Sequence, residues 1–321
     1  MSVLSRRRLG AALLGCLLVT TSCGGDSKKT DAKAAPAARS TTTTSPPVPL
    51  PVGRVARIVS LSPTATEMLF AIGADNQVVA VDSASNFPAK APVTDLSAYE
   101  PNVEAIAKYR PDLVITDGTN DQLISQLGAL GIATFPAKAP KSLSGVLQQI
   151  EQIGAATGNI AAASQLSADL QAKIDGIMKA FPKREGSLHY YYELDNTYYS
   201  ASSKTFIGAI LNSLGMKNIA DKADNKKSAG YPQLTPEYIV QQNPDVIFLA
   251  DTKCCQQTLA TLTARPGWAT IKAVQFQHVI TLDDDVASRW GPRIVDLLRQ
   301  VAGIIATIPP VLDYPDDLTN S

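Results

Sequence analysis

Histidine is nearly absent. His189 and His278 are the only two in 321 residues, which leaves no imidazole cluster to hold zinc and few general bases for hydrolysis. The four cysteines, Cys16, Cys23, Cys254 and Cys255, lack the paired spacing of a zinc site. No Gly-x-Ser-x-Gly elbow, no phosphate loop and no glycine-rich dinucleotide turn is present. Excess charge is missing too: 29 basic residues balance 29 acidic ones. Beyond Arg6, Arg7 and Arg8 there is no arginine-rich run, so nucleic acid is a poor match as partner. Without a catalytic constellation, each histidine reads as structural, His189 in an apparently buried strand, and an enzyme is not expected.

Long apolar runs are scarce as well. Leu9 to Val19 is apolar but too short to cross a bilayer. Three arginines precede it and Thr20, Thr21 and Ser22 lead from it to Cys23, the layout of a signal peptide over residues 1–22 that resembles a bacterial lipoprotein cleavage site. Cys23 is then the lipid-bearing residue, although Thr20 stands where leucine is usual; Cys16 is a rival inside the apolar run. The Ser5-Arg6-Arg7-Arg8-Leu9 string fits a twin-arginine export signal and a plain basic leader equally well. From residue 23 to 54 the chain is rich in Ala, Thr, Ser, Pro and Lys, with almost nothing to bury. A lipid-anchored, disordered tether is expected there.

What remains has 45% hydrophobic residues overall and a repeating α/β pattern. Arg57 to Leu61 reads as a strand, and Ser62-Pro63-Thr64-Ala65-Thr66-Glu67 as the capped start of a helix, with Ser62 or Thr64 as cap and Pro63 in the first turn. Strands are expected at Val78–Val81, Pro111–Thr116 and Ala133–Phe135, and helices at Val103–Lys108 and Gln122–Leu130. Leu143 to Phe181 is helical, broken at Thr157-Gly158-Asn159. The pattern then restarts, with strands at Leu188–Leu194, Tyr198–Ser200 and Pro244–Leu249 and helices at Thr205–Leu214 and Thr235–Gln242. Pro244-Asp245-Val246-Ile247 repeats Pro111-Asp112-Leu113-Val114, each after a helix that begins near Pro-Asn-Val-Glu or Thr-Pro-Glu-Tyr. The fold class expected is α/β: two Rossmann-like lobes, 55–142 and 184–313, joined through a helical connector at 143–183 by a single long backbone helix. A ligand cleft lies between the lobes, and a tail follows at 314–321.

Aromatics amount to only 6%, yet Phe87, Tyr99, Tyr199, Tyr231 and Trp290 fall in loops expected at one end of the lobes. Their faces can grip a large flat ligand. Asp285, Arg289 and Arg293 lie near Trp290, and Arg289 suits an amide or carboxylate rim; a surface ion pair is the competing account. Cys254 and Cys255 are adjacent, which points to a vicinal disulfide acting as a local staple and makes a poor metal chelate.

The strings Arg57-Ile58-Val59-Ser60-Leu61-Ser62-Pro63 with Thr66-Glu67, Pro101-Asn102-Val103-Glu104-Ala105-Ile106 before Arg110-Pro111-Asp112, and Tyr231-Pro232-Gln233-Leu234-Thr235-Pro236-Glu237 before Pro244-Asp245 resemble the periplasmic binding proteins for cobalamin and ferric siderophores. The resemblance covers residues 55–313. It implies a rigid bilobal solute-binding protein of an ABC importer, monomeric, on the outer face of the cell membrane, with no resident cofactor. Glu104 and Glu237 match the acidic residues that dock such proteins on arginines of the permease, which works with its ATPase. Phe87, Tyr99, Tyr199, Tyr231, Asp285 and Arg289 match cleft positions of cobalamin-binding members, several of which carry Trp where this chain has Tyr or Phe. A Tyr near Tyr99 is the iron ligand in haem-binding relatives, whereas siderophore relatives use several arginines. A cobalamin-like corrinoid is therefore the expected ligand, with ferric siderophore or haem as alternatives. An exported enzyme or metallochaperone is the reading from another class.

Overall fold

Each Pro-Asp repeat has a physical task, seen in a computed structural model that describes residues 55–182 and 186–309. Asp112 accepts hydrogen bonds from the backbone N–H groups of Ala56 (3.0 Å) and Arg57 (2.9 Å). Asp245 does the same for His189 (2.9 Å). Each carboxylate pins the start of the strand beside its own, which fixes the register of the central pair of strands in that lobe. The signal peptide, Cys16, Cys23, the tether and the tail lie outside the described residues.

The first lobe runs β1 (Ile58–Leu61), α1 (Pro63–Ala71), β2 (Val78–Val81), α2 (Val103–Ala107), β3 (Leu113–Thr116), α3 (Asp121–Ala129), β4 (Ala133–Pro136). Two helices follow, α4 (Leu143–Thr157) and α5 (Ile160–Ala180). The second lobe is β5 (His189–Glu193), α6 (Phe206–Ser213), β6 (Lys217–Asn218), α7 (Pro236–Gln242), β7 (Val246–Leu249), α8 (Leu259–Thr263), α9 (Lys272–Gln275), β8 (Val279–Thr281), α10 (Asp284–Ala287) and α11 (Ile294–Thr307). Both sheets have four parallel strands in the same order, β2-β1-β3-β4 and β6-β5-β7-β8. β1, β3 and β7 are buried at every position, as parallel strands covered on both faces must be.

Caps set the helix starts. Ser62 accepts from Ala65 N–H, Asn102 from Ala105 N–H and Thr235 from Tyr238 N–H, with Pro63 and Pro236 in the first turns. One apolar core is continuous from Ile58, Met68 and Leu113 through α4 and α5 to Tyr190, Phe248 and Leu298. The outer face of each sheet has its own smaller cluster, around Val59, Val114 and Leu127 in one lobe and around Tyr191, Ile247 and Trp268 in the other.

The connector breaks at Gly158 (φ 76°), where its sequence places the interruption, and α4 and α5 form a hairpin. They pack so closely that a Cβ on Gly154 would stand 2.2 Å from that of Ala163. α4 packs on α1 and α5 on α11, so each lobe keeps one arm of the hairpin. Two other expectations are corrected. Tyr198–Ser200 is not a strand, because only Tyr199 makes a β-bridge, to Gln233. His189 begins β5 as expected but is exposed, since its side chain precedes the covered part of the sheet.

Candidate ligand cleft

The C-terminal ends of the two sheets face one another, because hydrogen bonds cross from one lobe to the other there. Glu67, in α1 after β1, is 3% exposed and is the hub. It accepts from Arg289 Nη1 (3.1 Å), Arg293 Nε (3.0 Å) and Arg293 Nη2 (2.5 Å). Arg289 also donates to the Ala84 carbonyl (3.1 Å) and to Asp285 (2.9 Å), and Asn86 donates to Asp285 (3.2 Å). Burial alone would raise the Asp285 carboxyl, yet the Lys253 hydrogen bond and the Arg289 charge hold it below the usual range. The hydrogen bond to Glu67 raises the Arg293 guanidinium, which keeps its charge. Arg289 is therefore not a surface ion pair. At 8% exposure, with its N–H groups committed to Glu67, Ala84 and Asp285, it ties the lobes rather than reaching freely toward a ligand rim.

Trp290 is tied as well, its indole N–H donating to Gln149 Oε1 of α4 (2.8 Å). The other four rings are different. Phe87 (42%), Tyr99 (92%), Tyr199 (41%) and Tyr231 (50%) are among the exposed large apolar side chains, and all lie in loops that follow β2, β5 or β6. Arg293 stacks over Phe87 with its guanidinium carbon 4.1 Å from the ring centre, worth about 0.5–1 kcal/mol at an exposed site. Partial burial raises the Tyr231 phenol, so it stays neutral. Among the described residues, Tyr99, Tyr199 and Tyr231 stack on no other ring. Phe87 also borders an apolar pocket of about 250 Å³ with Phe70, Pro88, Lys90 and Pro292. A larger pocket of about 330 Å³, near Met178, Leu188 and Met216, lies at the opposite end of the second sheet, where β5 and β6 begin.

Sequence reasoning missed the polar layer beneath the cleft. In the first lobe Thr66 Oγ1 lies 2.9 Å from Ser60 Oγ and 3.0 Å from Ser85 Oγ, and Ser85 donates to Asp82 (2.5 Å). Burial pushes the Asp82 carboxyl up. The Ser-Leu-Ser-Pro and Thr-Glu string thus builds both the hydroxyl chain and the Glu67 hub. In the second lobe Glu193, fully buried, takes a bidentate pair of hydrogen bonds from Arg265 (2.6 and 2.7 Å). Arg265 is sandwiched over Trp268 (4.4 Å) and Tyr198 (5.2 Å).

Asp251, also fully buried, has carboxyl oxygens that meet no N–H or O–H donor among the described residues. The Arg265 guanidinium is committed to Glu193 and Gln257 and acts on Asp251 only through its charge. Burial, then the neighbouring Glu193, pushes Asp251 up to about 8. A carboxyl that keeps its proton in the fold, but loses it near 3.8 when unfolded, stabilises the protein most below that lower value. The contribution declines as pH rises between the two values and is gone above about pH 8. Denaturant titrations are expected to show this decline at no more than about 1.4 kcal/mol per pH unit. Asp251→Asn, which is close in shape and cannot titrate, should flatten it. An unchanged slope in the variant would assign the pH dependence elsewhere.

Glu104 and Glu237 occupy equivalent places, both exposed in the first turns of α2 and α7, where the helix dipole favours negative charge. No cluster of metal-ligating side chains occurs among the described residues. Cys254 and Cys255 form a disulfide in the turn after β7.

This chain belongs to the periplasmic binding protein family, whose profile matches residues 58–286. It is 30% identical over 254 residues to a cobalamin-binding protein of Halobacterium salinarum, covering 77% of this chain and 68% of that one. It is 31% identical over 269 residues to an uncharacterized ABC transporter substrate-binding lipoprotein of Bacillus subtilis, YvrC, covering 81% and 80%. Among solved structures it is similar to the vitamin B12 binding protein BtuF of Vibrio cholerae, at TM-score 0.67 and 24% identity over 79% of this chain and 99% of that one. It is similar as well to the haem-binding protein RhuT of Roseiflexus sp. RS-1, at TM-score 0.66 and 24% identity over 79% and 98%. The fold is that of these bilobal binding proteins. The family's members bind solutes, so the chain is a binding protein and not an enzyme.

Proposed function

We propose that this protein is the extracytoplasmic, lipid-anchored solute-binding subunit of an ABC importer and that it carries a cobalamin-like corrinoid. The observation that carries the cargo assignment is the set of exposed rings, Phe87 and Tyr99 on one lobe and Tyr199 and Tyr231 on the other, in loops at the strand ends that face across the lobe junction. Exposed aromatic surface costs solvation free energy, and a large ligand with apolar faces removes it from water on both sides. The named relative in Halobacterium salinarum supports the same cargo. Asp285 and Arg289 frame this cleft as positioning residues, with their charges already neutralised in the lobe tie. Glu104 and Glu237 are the permease-docking residues, one for each permease subunit, and Cys23 carries the lipid.

A haem-binding role is the second reading, favoured by one observation: Tyr99 is the most exposed of the rings, at 92%, which leaves a phenol at the cleft rim accessible to an iron. Absorbance titrations of the full-length protein with cyanocobalamin, haem and a ferric siderophore separate the readings. The expected result is saturable one-to-one binding of cyanocobalamin. Tyr231→Ala and Tyr199→Ala are each expected to weaken it about 5- to 30-fold, the equivalent of about 1–2 kcal/mol per stacked ring. Binding of haem alone, with a tyrosinate charge-transfer band lost in Tyr99→Phe, would overturn the corrinoid assignment and keep the importer role.

A further inference from the structure

The turn from Asp251 to Gln257, which carries the disulfide, is anchored on two sides. On one side the backbone N–H groups of Thr252 (3.0 Å), Lys253 (2.9 Å) and Cys254 (3.1 Å), with the Thr252 hydroxyl (2.7 Å), all donate to the Asp284 carboxylate. Lys253 Nζ reaches Asp283 and Asp285, each at 2.9 Å. On the other side the N–H groups of Cys255 (3.2 Å) and Gln257 (3.4 Å) donate to the Asp251 carbonyl, and the Gln257 amide donates to the Cys255 carbonyl (2.8 Å). Asp284 and Asp285 open α10. One helical turn on, Arg289 crosses to Glu67 and Ala84. A continuous chain of hydrogen bonds therefore leads from the disulfide to the lobe tie.

The bond itself closes almost no loop, since its cysteines are neighbours in sequence. A cross-link restrains the unfolded chain in proportion to the loop it closes, so this one contributes little to overall stability. Its effect is local, holding one turn in one shape. Cys254 is exposed and Cys255 half-buried, so the turn is open to an external thiol.

We propose that Cys254–Cys255 is a thiol–disulfide exchange site at the cleft rim, and that its reduction loosens the lobe tie and lowers ligand affinity. The affinity part rests on the cargo reading above. A thiolate of an external dithiol attacks Sγ of Cys254, and the sulfur–sulfur bond breaks with its electron pair leaving on Sγ of Cys255, which takes a proton. The second thiol of the dithiol then displaces Cys254, so two electrons and two protons have passed to the protein and the reductant is left as a disulfide. The freed turn no longer presents its three N–H groups to Asp284 together. α10, and with it Arg289, gains freedom.

The test uses the full-length protein, oxidised, reduced with dithiothreitol, and as Cys254→Ser/Cys255→Ser. Without ligand, amide hydrogen exchange at residues 252–254 and at 285–289 is expected to rise about tenfold or more in the reduced protein and in the double variant, with melting temperature nearly unchanged. With cyanocobalamin as probe, reduction should weaken binding about tenfold. By reciprocity the ligand should then shift the midpoint of dithiothreitol reduction by about 30 mV toward more reducing values. An exchange increase confined to residues 254–257, or none, overturns the coupling. Equal affinity in both redox states overturns its effect on the ligand. If the oxidised protein does not bind cyanocobalamin, the cargo assignment fails, and the ligand-free exchange comparison still decides whether the turn and the tie are linked.

Discussion

Glu104→Ala combined with Glu237→Ala is expected to abolish uptake while ligand affinity stays within about twofold of the parent. Both carboxylates are exposed, in matching first turns of the two lobes. They belong to α2 and α7 and not to the loops that carry the rings, so removing them leaves the cleft unaltered. In solution an exposed carboxylate contributes little. Docked on a permease arginine it is desolvated, and truncating one partner of such a pair costs about 2–5 kcal/mol. Two such losses weaken docking about a thousandfold or more. Radiolabelled cobalamin uptake, measured beside equilibrium binding, checks this, with each single variant expected to fall in between. Normal uptake in the double variant would remove the docking assignment, and a parallel loss of binding would place these residues in the cleft.

Glu67→Ala is expected to cost about 3–5 kcal/mol of stability, because it leaves the Arg289 and Arg293 guanidinium groups at the lobe junction without the anion they share. That corresponds to a fall of about 10 °C or more in melting temperature for a chain of this size. Glu67→Gln, which keeps an acceptor and the packing, should lose less. The same variant would free the lobes, so ligand affinity should fall along with stability. A loss below about 1 kcal/mol would mean that water solvates the two arginines at once and that the tie is no stronger than a surface pair.

The repeat of Pro-Asp before an apolar run was readable because each copy performs the same local task, and the caps at Ser62, Asn102 and Thr235 are written within four residues of the helices they start. Glu67 and Arg289 could be found as members of a motif and as neighbours of Trp290, but not as partners. They are 222 positions apart, and no local pattern encodes a pairing across that distance. The Asp251 and Glu193 pair was hidden for the same reason. Tyr198–Ser200 looks like a strand because Tyr and β-formers adjoin, yet only Tyr199 finds a backbone partner. β6 and β8 are two and three residues long, too short to display alternation. The break at Gly158 was legible, whereas the folding of α4 back on α5 depends on the close approach that Gly154 permits. The exposed rings were found from their loop positions, while the use of Trp290 as an anchor required the partner Gln149 on another helix.

A ligand between the lobes, at the C-terminal ends of both sheets, is detected by amide hydrogen exchange with and without saturating cyanocobalamin. Protection is expected to appear together in residues 83–101 of the first lobe and in 194–205 and 225–235 of the second. Protection limited to one lobe, or centred on the pocket near Met178, Leu188 and Met216 where β5 and β6 begin, would contradict it.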